Sequence, residues 1–74
     1  MLKIKDNVDL KELEKFGAKY NEAMGSYDFY DGSFYVWEDV RDIAFEFSFG
    51  VTENEIMTTL FDLISAGLVE KVEE

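Results

Sequence analysis

The stretch Tyr27-Asp28-Phe29-Tyr30-Asp31-Gly32-Ser33-Phe34-Tyr35-Val36-Trp37 leaves this chain few folds to choose from. Asp-Gly is a strong signal for a two-residue hairpin loop, because the favoured turns need left-handed backbone that Asp and Gly tolerate. With Asp31-Gly32 as the loop, Tyr30 faces Ser33, Phe29 faces Phe34, Asp28 faces Tyr35 and Tyr27 faces Val36. Side chains alternate between the two faces of a strand. One face then carries Tyr27, Phe29, Phe34 and Val36, joined from the next strand by Ile43, Phe45, Phe47 and Phe49. The other carries Asp28, Tyr30, Ser33, Tyr35 and Trp37, joined by Asp42, Ala44, Glu46 and Ser48. The first set is a core that something must cover. The second is acidic and aromatic at once.

Two segments read as amphipathic helices, and the longer, C-terminal one is expected to pack on the core face. Asp9 with Glu12 has the form of a capping box, and Val8 with Leu13 that of a hydrophobic staple. Leu10, Leu13 and Phe16 share a face, and Gly17 offers a left-handed stop. Thr52-Glu53-Asn54-Glu55 is a second capping box. Ile56, Leu60, Leu63 and Ile64 follow on one stripe with Met57 and Phe61 beside it, and Ser65-Ala66-Gly67-Leu68 fits a Schellman stop. Strands are expected at Leu2–Lys5, Ala18–Glu22 (turning near Met24-Gly25), Tyr27–Tyr30 and Ser33–Trp37. Glu38–Arg41 is expected to turn, Asp42–Phe49 to form a further strand ending at Gly50, and Leu68–Val72 a last one. The expectation is one α+β domain over residues 1–74. It has an antiparallel sheet of three to four strands, with a short N-terminal helix and a longer C-terminal helix packed on it.

Charge narrows the function. Up to Lys19 the chain has five lysines against four carboxylates; from Tyr20 on it has 13 carboxylates against Arg41 and Lys71. The net charge of −10 disfavours direct contact with nucleic acid or anionic membrane, which are themselves polyanions. The segment from Glu55 to Val72 has the outline of a recognition helix and wing, but its helix lacks the lysines and arginines that phosphate contact needs. Histidine and cysteine are absent, which removes the usual general base, the usual thiol nucleophile and the usual zinc ligands. No catalytic, cofactor-binding or metal-binding residue is therefore expected. Asp28-x-x-Asp31-Gly32 and Glu38-Asp39-x-x-Asp42 bear oxygen ligands but match no calcium-loop frame, and read as turn formers and solvating charge. The N-terminus has no apolar signal region and no run is long enough to span a bilayer, so a cytoplasmic protein is expected.

What remains is the acidic-aromatic face. Asp28, Tyr30, Tyr35, Trp37, Glu38, Asp39, Asp42 and Glu46 are the candidate partner-binding residues: tyrosine and tryptophan favour binding hot spots, and carboxylates around them steer a basic partner. Spaced carboxylates can also imitate the phosphates of nucleic acid. Two plainer readings stand beside this one: the N-terminal helix covers the face, or Tyr35 and Trp37 pack against a second copy in a homodimer.

The opening Met-Leu-Lys-Ile-Lys-Asp-Asn-Val-Asp-Leu-Lys-Glu-Leu-Glu-Lys-Phe-Gly and the ending Leu-Phe-Asp-Leu-Ile-Ser-Ala-Gly-Leu-Val-Glu-Lys-Val-Glu-Glu resemble small acidic proteins of phages and prophages of Gram-positive bacteria. These segments hold caps, core positions and stops, and the resemblance carries over no functional residue. It implies a setting in which small acidic proteins act by binding host proteins, several anti-CRISPR inhibitors among them occupying nucleic-acid-binding surfaces of Cas nucleases. The expected function is a non-enzymatic phage-type binding protein, an anti-CRISPR inhibitor of a basic, nucleic-acid-handling nuclease. The alternatives are a self-associating structural or accessory phage protein and an antitoxin-like neutraliser of a basic protein.

Overall fold

Leu10, Leu13 and Phe16 recur every three residues, and three is the period of a 3-10 helix, in which side chains at i and i+3 eclipse. The segment takes that form: Leu10–Phe16 is a 3-10 helix of seven residues, capped at its start by the Asp9 carboxylate, which accepts from the Lys11 N–H. Three-residue spacing puts all three apolar side chains on one edge without the drift of an α-helix. Glu12 pairs forward with Lys15 at 2.8 Å. In the computed structural model of the chain, which describes residues 1–46 and 53–72, this helix follows strand β1 (Leu2–Ile4). Then come β2 (Lys19–Asn21), β3 (Ser26–Phe29), β4 (Phe34–Trp37), β5 (Ile43–Phe45), helix α1 (Glu53–Ser65) and β6 (Val69–Lys71). The expected cap Thr52, and the expected extension of the fourth hairpin strand through Phe47 and Phe49 to Gly50, lie outside the described residues.

The β3–β4 hairpin keeps the expected register, with Phe29 opposite Phe34, Asp28 opposite Tyr35 and Tyr27 opposite Val36, but the expected Tyr30–Ser33 pair does not form: Tyr30–Gly32 turn as a short 3-10 helix and Ser33 is buried. The pairing continues one residue further, to Ser26 opposite Trp37. The antiparallel sheet runs β2-β3-β4-β5. A second antiparallel sheet pairs β1 with β6, closing the chain's two ends on each other. The two sheets meet where Lys3 bridges to Asp42 and the Ile4 N–H donates to the Arg41 carbonyl at 3.0 Å. The result is a nearly continuous surface in the order β6-β1-β5-β4-β3-β2.

Both helices cover the same side of that surface. Leu10 and Leu13 from the 3-10 helix and Ile56, Leu60 and Leu63 from α1 enter one core with Ile4, Tyr27, Phe29, Phe34, Val36 and Ile43. Both helices also stop in the same way. The Ala18 N–H donates to the Leu13 carbonyl and Gly17 to Glu14; likewise Leu68 donates to Leu63 and Gly67 to Ile64. Gly17 and Gly67 hold φ of +100° and +78°. This is the Schellman arrangement, whose glycine avoids the Cβ clash of left-handed backbone.

Helix α1 departs from its expected stripe. Ile56, Thr59, Leu60 and Leu63 are buried, whereas Met57, Phe61 and Ile64 are exposed. The buried face is centred one position away from the expected one because Thr59, polar but bonded, takes part in it. Among the described residues, no helix is long and apolar enough to cross a membrane.

Candidate functional site

Both helices lie on the Phe29–Phe34 side, so among the described residues neither helix covers the reverse of the sheet, and the alternative in which the N-terminal helix covers it does not hold. Asp28, Tyr35 and Trp37 are each half-buried there. The Tyr35 ring stands edge-on to Trp37, with centroids 5.3 Å apart. Ala44, opposite Tyr35, keeps the surface beside the rings low.

Asp28 is held in place. One carboxylate oxygen accepts from the Ser26 hydroxyl at 2.6 Å and the other from the Asn21 side-chain amide at 3.0 Å. A hollow of about 190 Å³ on this face is lined by Asn21, Met24, Ser26, Asp28, Tyr35 and Glu46. A second, of about 270 Å³, lies at the end of the hairpin between Met24, Gly25, Trp37, Glu38 and Asp39. A larger one, of about 440 Å³, follows the edge strand β2 past Lys19, Tyr20, Asn21 and Asp28. Lys19 makes that edge less acidic than the middle of the face.

The other candidate residues divide. Glu46 is exposed on the rim of the first hollow, and its N–H donates to the Ser33 carbonyl at 2.8 Å. Glu38 accepts from the Tyr20 hydroxyl at 2.8 Å, while its N–H donates to the Gly25 carbonyl at 2.9 Å. Asp39 accepts from the Val40 N–H within its turn. Asp42 lies beside Lys3, whose ammonium also contacts Asp6 at 2.8 Å and Glu70 at 3.9 Å. The hydrogen bond to Asp6, then the charges of Asp6, Glu70 and Asp42, hold the Lys3 ammonium above its ordinary pKa, against a smaller opposing desolvation. The same bond holds the Asp6 carboxyl below the usual range. Lys3 thus offsets one of the three carboxylate charges at the β1–β5 end of the face.

Tyr30 stands apart from Tyr35 and Trp37, although it lines the β2-edge hollow together with Asp28. Strand β3 ends at Phe29, and Tyr30 enters the turn with φ of +49°, so the alternation that would place it beside Asp28 breaks there. Its hydroxyl instead shares a 2.7 Å hydrogen bond with Thr59 and lies 3.3 Å from the Glu55 carbonyl, tying the hairpin to α1.

Asn21, Met24, Ser26 and Lys3 belong to this surface and carry no sequence signal of their own. Only the extra Ser26–Trp37 pair could have brought Ser26 in.

Two phenols report on the hairpin, Tyr27 from the core and Tyr20 from the exposed edge. Burial, then the charges of Glu14, Glu38 and Asp9, pushes Tyr27 up; the hydrogen bond to Glu38, then burial, does the same for Tyr20. A phenol whose pKa is raised on folding adds stability that is complete below the ordinary value near 10 and is lost as the pH climbs through the folded one. In a spectrophotometric titration, a late-ionising fraction of the four tyrosines should therefore appear in the native protein and vanish in strong urea. Four phenols ionising together at the ordinary value in the native protein would contradict it.

The fold and site together define a small α+β domain with one sheet face covered by two helices and the other, among the described residues, free of helices, aromatic and acidic. Comparison of the chain with models of known protein families, with curated proteins and with solved structures gives no match. Among the described residues, no three of His, Cys, Asp and Glu group as a metal site would.

Proposed function

We propose that the protein is a non-catalytic acidic binding protein of the phage type, an anti-CRISPR inhibitor. Its open sheet face occupies the nucleic-acid-binding surface of a Cas nuclease. The observation that carries this reading is the placing of Asp28, Tyr35 and Trp37 side by side, half-buried, on the face that neither helix covers. Tyr35 and Trp37 already rest edge-to-face, so little side-chain freedom is lost when a partner packs on them. Asp28 is oriented by two neutral donors, which leave its charge in place. Glu46, Glu38 and Asp39 surround this centre, and the protein's net charge of −10 steers a basic groove towards it.

A purified Cas nuclease from a Gram-positive host is the direct test. Binding should weaken as salt rises and should be competed by DNA or guide RNA, and replacing Tyr35 and Trp37 with alanine should weaken it at least about tenfold, as hot-spot truncation does. Binding that is indifferent to salt, nucleic acid and both substitutions would end the proposal. A wild-type dimer in sedimentation that the Trp37→Ala variant abolishes would assign the face to self-association instead.

A further inference from the structure

Asp28 is the one acidic residue within strands β2 to β5, and it is half-buried there. Lys19 lies opposite it across β2–β3, yet among the described residues the two form no ion pair. What holds the carboxylate is neutral. The Ser26 hydroxyl donates to one oxygen and the Asn21 side-chain amide to the other. The Asn21 side-chain oxygen in turn accepts from the Met24 N–H at 3.2 Å, so that amide is fixed at both ends. These bonds aim the charge and leave it uncompensated. A charge drawn away from water is costly until an opposite charge meets it. A carboxylate has about four acceptor sites, so each oxygen of Asp28 keeps one for a further donor.

Two hollows share Asp28. The larger, along β2, has Lys19 in its wall, which repels a second cation. The smaller has no lysine or arginine in its lining; Tyr35 forms one wall and Glu46 stands at the rim. Tyr35 is directly opposite Asp28 across β3–β4, so ring and carboxylate are immediate neighbours on one face. At about 190 Å³ this hollow falls short of the about 300–1,000 Å³ of small-molecule sites, and it suits a single side chain. An aromatic wall beside a fixed carboxylate selects a flat, weakly hydrated cation. A guanidinium lies against a ring and reaches a carboxylate with two N–H groups, whereas an ammonium is a strongly hydrated point charge.

We infer that the hollow between Asp28 and Tyr35 receives one arginine side chain of a partner protein. The inference rests on the reading of this face as a binding surface and adds the residue type that the face recognises. It does not depend on the partner being a nuclease.

The whole isotope-labelled protein, titrated at constant ionic strength with N-acetyl-arginine amide and followed by nuclear magnetic resonance, is the test. The lysine and glutamine analogues are titrated alongside. The backbone amides of Ser26, Asp28 and Tyr35 should shift with the arginine probe and saturate. The lysine probe should bind about twofold to fivefold more weakly, the margin of an exposed cation–π contact, and the glutamine probe should shift none of them. Asp28→Asn keeps the shape of the side chain and should weaken the arginine probe at least about tenfold, as loss of a charged hydrogen-bond partner does. Tyr35→Leu should weaken it about twofold to fivefold, and this variant carries the test if Asp28→Asn does not fold. Asp62→Asn removes the same charge from α1, on the other side of the sheet, and should change nothing. Equal binding by Asp28→Asn and the wild type, equal binding of the arginine and lysine probes, or shifts that spread over the surface without saturating would each overturn the inference. A nuclease that fails to bind while the arginine titration succeeds would remove the proposed partner and leave the arginine site standing.

Discussion

Phe34→Ala should cost about 3–5 kcal/mol of stability, the range for deleting a large aromatic ring from a packed core. Phe34 is completely buried. Its ring meets Phe29 edge-on at 4.7 Å and Phe45 at 5.2 Å, so truncation opens a cavity and removes two ring contacts together. A domain of 74 residues has total stability of about 4–11 kcal/mol at typical per-residue values. The variant is therefore expected to be near or past its unfolding midpoint without denaturant. Phe45→Ala is the control: Phe45 is 38% exposed and pairs with Phe34 across β4–β5, so its loss should cost clearly less. Urea unfolding followed by Trp37 fluorescence measures both. A Phe34→Ala loss below about 1.5 kcal/mol, the upper range of a conservative core change, would mean the hairpin's apolar face is not the centre of the core.

Arg41 holds the second large effect, for a different reason. One guanidinium nitrogen donates to two backbone carbonyls, those of Lys5 at 2.8 Å and Val8 at 2.6 Å. The Arg41 carbonyl in turn accepts from Ile4. One residue thereby fixes the segment between β1 and the 3-10 helix to the end of the main sheet. Hydrogen bonds from a charged group are worth about 1.5–3 kcal/mol each, and partial exposure of these carbonyls to water reduces the loss. Arg41→Ala should accordingly cost about 2–4 kcal/mol and lower the melting temperature by on the order of 10–20 °C. The backbone offers an internal check. Arg41 has φ of +67°, a conformation that costs a residue with a Cβ about 1–2 kcal/mol and glycine almost nothing. Arg41→Gly should therefore melt higher than Arg41→Ala although both lose the same hydrogen bonds. If the glycine variant is the less stable of the two, the left-handed turn is not under the strain argued here.

These two residues mark the boundary of what can be read along the chain. Phe34 could be placed in the core, and opposite Phe29, from the Asp31-Gly32 loop and the alternation around it. The turn is local and the pairing has a period of two, so a few residues determine the register. The stops at Gly17 and Gly67 and the cap at Asp9 are legible for the same reason, since each involves residues within one helical turn. Leu10–Phe16 was legible as a short helix, but its 3-10 form was not.

Arg41 could not be placed. It looks like one residue of a turn, and its partners lie 36 and 33 positions away. The same distance in sequence hides the pairing of β1 with β6, the Lys3 contact with Glu70 and the Tyr20 bond to Glu38. It also hid the fate of two side chains. Tyr30 was assigned to the open face by an alternation that lasts only as long as the strand, and the turn sends it to Thr59 instead. Ile64 was assigned to the core stripe of α1, but the direction from which a helix meets its sheet decides which strip is buried. Periodicity gives only the width of that strip.

By itself the sequence determined the hairpin and its register, the two faces of the sheet, the helix stops and the concentration of acid after Lys19. All of these follow from local geometry or from composition. Tertiary structure alone decided that both helices lie on one side, and hence that neither helix covers the acidic-aromatic face. It also decided which carboxylates are already engaged: Asp42 and Glu70 lie around Lys3, and Glu38 accepts from Tyr20. Side-chain neighbours brought together by folding depend on the summed packing of the whole chain, and no local pattern records them.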